Sequence, residues 1–193
     1  MNRLILNALN APVFVLLIAI GIAIQTSLFG FWPLQYLQPN IVLVAVIWCA
    51  LRRGFLEGGI ITLIISDLSE LHSAAPQGLY LIAFMTVFLG VRAASKLVVI
   101  PNVTGYVLVT LFASIAWKFV TLFTLYLLGA SNNQWRHTFL FLFPGAVIEA
   151  SIGIWVFRLF ESFDRATFKR VAVDRAHGSS DNYDDEFMIE GIE

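Results

Sequence analysis

Three ionisable side chains, Asp67, Lys118 and Glu149, stand inside apolar stretches of the sequence, where charge is costly and therefore informative. Lys118 lies near the middle of one long apolar run and Glu149 near the middle of the next. The short connection between the runs makes them antiparallel neighbours, so the two charges reach similar depth and are expected to pair. Around them, Thr110, Ser114, Lys118 and Thr121 recur at helical spacing, while Gly145, Glu149 and Gly153 share one face of the following helix. The glycines there permit close backbone approach. Such a pair either fastens two helices together or lines a cavity, a substrate route or a partner contact. Fastening is the simpler reading, because a matched pair needs no ligand to neutralise it.

Asp67, with Glu70 one turn later and His72 beyond, could form an outer-side polar site that meets a partner, a divalent metal or a proton. A metal site needs three or four converging ligands, and carboxylates in the last turn of a helix are usually solvated or cap the next loop. No metal or cofactor is expected. The sequence contains no His-Glu-x-x-His, no Gly-x-Ser-x-Gly and no Gly-x-x-x-x-Gly-Lys phosphate loop, so the common arguments for an enzyme are missing. Gly54-x-x-x-Gly58 at a turn is read as a tight helix contact rather than a catalytic loop.

The elements that must position these residues are helices in a bilayer. With 59% hydrophobic and 13% charged residues over 193 positions, the chain has more apolar surface than a water-soluble domain of this size can hide. Six spans fit between residues 11 and 160: Pro12 to Leu28, Leu34 or Ile41 to Leu51, Phe55 to Leu71, Gly78 to Ala94, Val103 to Leu128, and Thr138 to Phe160. Spans two and three are short, but reading them as one re-entrant hairpin would bury Arg52, Arg53 and Glu57 at its tip. Ten of the twelve Lys and Arg residues flank these runs on one alternating side, and only Arg136 lies on the other. By the positive-inside rule both termini are cytoplasmic. Phe29, Phe31, Trp32, Tyr36 and Trp135 are expected at the outer interface, and Arg92 and Lys96 are expected to snorkel to the inner one. The single Cys49 allows no intrachain disulfide.

Residues 1–160 therefore read as the membrane domain. A segment over 161–175 continues it as a basic amphipathic helix on the anionic inner leaflet, through Phe157, Phe160, Phe163, Phe168 and Val171. Residues 176–193, with six acidic and no Lys or Arg residues, read as a disordered tail.

Pro39-Asn40, Ala50-Leu51-Arg52-Arg53-Gly54, Glu57-Gly58, Asp67-Leu68 and Gly78-Leu79-Tyr80, in this order, resemble the rod-shape-determining MreD family. The family usually has Asp where this chain has Asn40, and a Gly-rich approach to Asp67 where this chain has Ile64-Ile65-Ser66. The resemblance implies an all-α polytopic protein of the bacterial inner membrane, with a fold similar to the substrate-binding subunits of energy-coupling-factor transporters. It also implies a non-enzymatic scaffold of the cell-elongation machinery that binds MreC and, through it, peptidoglycan synthases, with no nucleic-acid partner and self-association left open. The fold similarity supplies the rival reading, a small-molecule-binding transporter subunit with Asp67, Glu70 and Trp32 lining its pocket.

Overall fold

The computed structural model describes residues 2–28, 39–73, 75–97, 103–129 and 142–167. Among these residues the chain is all-helical. The helices are α1 (Asn2–Leu28), α2 (Ile41–Arg52), α3 (Phe55–Leu71), α4 (Leu79–Leu97), α5 (Val103–Leu127) and α6 (Leu142–Ala166).

The short α2 is the axis of the fold. Every residue from Val42 to Ala50 is buried, and α2 touches all five of the other helices. A helix that is apolar all round has no solvent-facing side, and its sequence, IVLVAVIWCALR, allows only that position. Its start is held by the Asn40 side chain, which accepts from the Leu43 amide at 3.0 Å, and by Gln25, whose Oε1 accepts from the Ile41 amide at 3.2 Å. At its end, Arg92 Nη1 reaches from α4 and donates to the Ala50 and Arg53 carbonyls at 2.8 and 2.7 Å. Carbonyls at a helix C-terminus lack intrahelical donors, and a cation there also meets the negative end of the helix dipole. The side chain expected to snorkel thus caps a neighbouring helix.

Gly54 breaks the chain in extended conformation, and α3 turns back against α2 and α4. Gly58 makes the turn tight, since a Cβ at this position would stand 3.0 Å from both the Cys49 carbonyl oxygen and the Phe88 ring. Gly58→Ala is expected to lower stability by about 1–3 kcal/mol through overpacking, measured as a drop in thermal midpoint of the purified protein in detergent. Gly59→Ala is the control, because its nearest neighbour would be Phe88 at 3.9 Å and should tolerate the methyl.

Side-chain contacts bring the early turns of α1 and α5, the α2–α3 turn and the ends of α4 and α6 together. Arg53 meets Asn10 and Asp164, Arg92 meets the end of α2, and Arg52 donates to Tyr106. At the other end Gln25 meets Ile41, and Glu70 meets the start of α4. Chain direction therefore alternates from helix to helix, and Arg52, Arg53 and Arg92 gather at one end.

The outward faces of the described helices carry many large apolar side chains. Leu16 and Ile20 on α1, Leu56 and Ile60 on α3, and Phe112 and Phe123 on α5 are all exposed. Leu9–Leu28 and Gly105–Leu127 are long and apolar enough to cross a membrane, whereas Ile41–Arg52 and Leu79–Ser95 are apolar but shorter. The helix α6 runs without a break past residue 160, with Phe160 and Asp164 buried, so the packed body reaches Thr167. Phe157 packs on Trp48 at 4.2 Å, and Phe160 on Phe14 at 4.8 Å between ring centroids. These rings face α1 and α2 rather than a lipid surface. Trp32, Trp135, Arg136, Phe168, Val171 and the acidic tail lie outside the described residues.

Candidate functional site

Two clusters of polar side chains sit between helices. The first joins α5 to α6. Lys118 Nζ lies 4.0 Å from Glu149 Oε1, and the buried Ser114 hydroxyl donates to Glu149 Oε2. Glu149 is 4% exposed. The small residues of α6 make room for this arrangement: a Cβ on Gly145 would lie 2.6 Å from Lys118 Nζ, and one on Gly153 would meet the Thr110 methyl at 3.4 Å. Thr110 and Thr121 turn their hydroxyls back to the carbonyls of Tyr106 and Trp117, four residues earlier. The helical stripes on α5 and α6 therefore meet face to face, with one charge pair and one hydroxyl at the seam.

The second cluster joins three parts of the chain that are remote in sequence. Arg53 is 2% exposed, its Nη1 donating to Asn10 Oδ1 and to Glu57 Oε1 at 2.8 Å, and its Nη2 donating to Asp164 Oδ1 at 2.7 Å. Asn10 Nδ2 donates in turn to Asp164 Oδ1 at 3.2 Å and to Thr167 Oγ1. The Phe14 ring centroid lies 4.9 Å from the guanidinium carbon, adding a cation–π contact. A planar guanidinium can serve several oxygens in fixed directions, and here it ties α1, the α2–α3 turn and α6 to one point. Arg52 takes a separate role. Its Nε donates to Tyr106 at 2.8 Å, and its guanidinium carbon lies 5.6–5.8 Å from the ring centroids of Trp48, Tyr106 and Phe157.

The carboxylates near the end of α3 diverge. Glu70 folds over the start of α4, Oε2 accepting from the Gly78 amide at 2.9 Å and Oε1 from the Tyr80 and Leu81 amides at 2.7 and 3.1 Å. The first amides of a helix have no intrahelical acceptor, and a negative charge there is favoured by the helix dipole. Gly78 takes φ = 84°, a conformation that a side chain resists. Glu70→Ala is therefore expected to cost about 1–2 kcal/mol of stability, in the range of a lost helix cap, and to speed hydrogen exchange at Tyr80 and Leu81. Glu70→Gln, which keeps an acceptor oxygen, should cost less.

Asp67, by contrast, is exposed on the outer face of α3. His72 is also exposed and bonds through Nδ1 to the Leu68 carbonyl of its own helix at 2.9 Å. No group of three or more His, Cys, Asp or Glu side chains converges among the described residues.

The structure places Pro39 in a buried position ahead of α2, and it gives Arg53, Glu57, Gly58 and Gly78 contacts or backbone geometry that set the turns around α3. Sequence reading had not singled out Asn10 and Asp164. A signal was present for both. Asp164 falls on the apolar stripe of Phe157 and Phe160, and Asn10 on the stripe of Phe14 and Ile18, each one helical turn from its nearest apolar neighbour. A polar residue at such a position needs an internal partner.

Both clusters pair opposite charges between helices and are suited to joining them, although Arg53 Nε is a buried donor with no partner among the described residues. Comparison with protein-family models, curated proteins and solved structures finds no match to this chain.

Proposed function

We propose that this chain is a six-span, non-enzymatic scaffold of the bacterial inner membrane, with both termini in the cytoplasm. In this reading it belongs to the cell-elongation machinery, binding MreC and through it peptidoglycan synthases. The observation that carries the reading is the direction in which its polar and apolar groups point. Arg53 with Asp164, and Lys118 with Glu149, turn inward and pair, whereas one face each of α1, α3 and α5 turns large apolar side chains such as Leu16, Leu56 and Phe112 outward. That distribution suits a body that holds its own shape in lipid and offers its outside to other helices.

Alternating helix direction and the gathering of Arg52, Arg53 and Arg92 at one end support six spans with that end inside. The 12-residue α2 is covered on all sides by other helices, so it need not match the full bilayer thickness. The order of marks from Pro39 to Tyr80 supports the family assignment.

Purification of the tagged full chain from native membranes tests the function. Stoichiometric recovery of a single-span partner together with a peptidoglycan synthase is expected. Recovery with a nucleotide-hydrolysing module, and tight binding of a small molecule, would replace the scaffold with a transporter subunit. Reporter fusions after Ala130 and Gly191 test the topology separately, with an outside signal expected at the first and an inside signal at the second.

A further inference from the structure

Leu56, Ile60, Leu63 and Asp67 follow one another along α3 at intervals of four, three and four residues, and all four are exposed. That spacing is the seam by which one helix packs along another, with apolar knobs and a single polar position that sets register. Asp67 stands four residues before the end of α3, or about 6 Å along its axis. None of the described residues supplies it with a hydrogen bond or counter-ion, whereas Glu161, whose side chain is also exposed, pairs with Arg165.

The outward faces of α1 and α5 differ. On α1 the exposed seam is Leu9, Val13, Leu16 and Ile20, and on α5 it is Leu108, Phe112, Phe119 and Phe123. Neither face carries an exposed charge among the described residues. A carboxylate facing lipid is expensive and needs an opposite charge or a donor at its own depth. Glu70, one turn away, is committed to the amides of α4 and cannot share the load.

We infer that the outward seam of α3 receives a transmembrane helix of a different chain, which carries a Lys or Arg near its outer end opposite Asp67. The inference rests on the scaffold reading and assigns its partner surface. Charge decides the occupant. A two-fold contact with a second copy of this chain through the same seam would set Asp67 against Asp67 at equal depth, whereas a basic helix would neutralise it. The apolar positions supply packing, and the ion pair supplies register and choice of partner.

The test is a photo-crosslinking residue in place of Leu63 in the full chain, expressed in its native membrane, with the adduct identified by mass spectrometry. The expected adduct is a helix of another chain with Lys or Arg within one turn of its outer end. Asp67→Lys should lower its yield at least about tenfold, the scale of one charge pair at a packed interface, and reversing the partner's basic residue to Glu should restore it. Asp67→Leu replaces the Lys variant should that one fail to insert, with the same loss expected. An adduct with a second copy, an adduct with lipid alone, a partner lacking the basic residue, or a yield indifferent to both Asp67 variants would overturn the inference. Probes at Leu16 and Phe123 separate its failure from that of the scaffold reading. A single-span partner captured there but not from Leu63 leaves the scaffold standing on another face; no such partner from any of the three positions removes both.

Discussion

Arg53→Leu is expected to destabilise the helical body by about 3–5 kcal/mol, the cost of removing one partner from a buried ion pair. The loss exceeds that of a single contact because Asp164, 6% exposed, and Asn10, fully buried, depend on the same guanidinium. Without it, the Asp164 carboxylate keeps the Asn10 Nδ2 donor but loses its counter-ion, and the Asn10 oxygen loses its Arg53 donor. Asp164→Leu alone should cost less, since Arg53 keeps Glu57 and Asn10. The double variant Arg53→Leu with Asp164→Leu should recover part of the loss, because the isolated carboxylate is gone. Unfolding in mixed micelles, read by tryptophan fluorescence, would give the four free energies of the cycle. Strict additivity of the two single effects would show that Arg53 and Asp164 act independently.

Lys118→Leu is expected to cost about 3 kcal/mol, at the low end for a broken buried pair, since the charges stand 4.0 Å apart rather than in hydrogen-bond contact. Glu149→Leu should cost less. The Lys118 side chain is 14% exposed against 5% for Glu149, and its flexible stem can carry the ammonium toward a more polar region. Replacing both with Leu should return stability to within about 1 kcal/mol of the original chain, as buried pairs exchanged for apolar residues are often neutral. Ser114 would lose its acceptor in the double variant, but a helical serine can turn to the carbonyl four residues before it. The same unfolding measurement applies, and a double variant as unstable as Lys118→Leu would mean that the pair does more than neutralise itself.

The helices and the first cluster were legible for local reasons. Gly54 and the Arg pair interrupt the apolar run between α2 and α3, and α3 spans Phe55–Leu71 as its pattern predicts. Lys118 and Glu149 could be set opposite each other because their helices are joined by a short connection and their small-residue stripes share the same period. The Arg53 cluster was hidden by sequence distance: its members come from positions 10, 53, 57, 164 and 167. The charge rule that orients a membrane protein counts an arginine beside a span as an inside anchor, without regard to its burial. Arg53 and Arg92 satisfy that pattern while also tying helices together.

The end of α6 shows a different limit. Phe157, Phe160 and Phe163 make one apolar face, and amphipathicity reveals such a face without revealing what covers it. The pattern predicts a bilayer surface there, but Phe14 of α1 and Trp48 of α2 pack on these rings. Asp164 on the same stripe was the clue, since a carboxylate at that position would be ill placed against anionic lipid. Asp67 and Glu70 carried the opposite ambiguity. Their spacing is equally compatible with one shared site, and only the turn geometry at Gly78 separates a capping carboxylate from an outward one.

Recovery of the proposed single-span partner by the Lys118→Leu, Glu149→Leu double variant tests the central claim most directly, namely that the interior charges join helices while the outer faces engage other proteins. The variant is expected to be monodisperse and to bring down the partner in the same stoichiometry as the original chain. A monodisperse double variant that has lost the partner would contradict the account and make the Lys118–Glu149 pair part of the functional site.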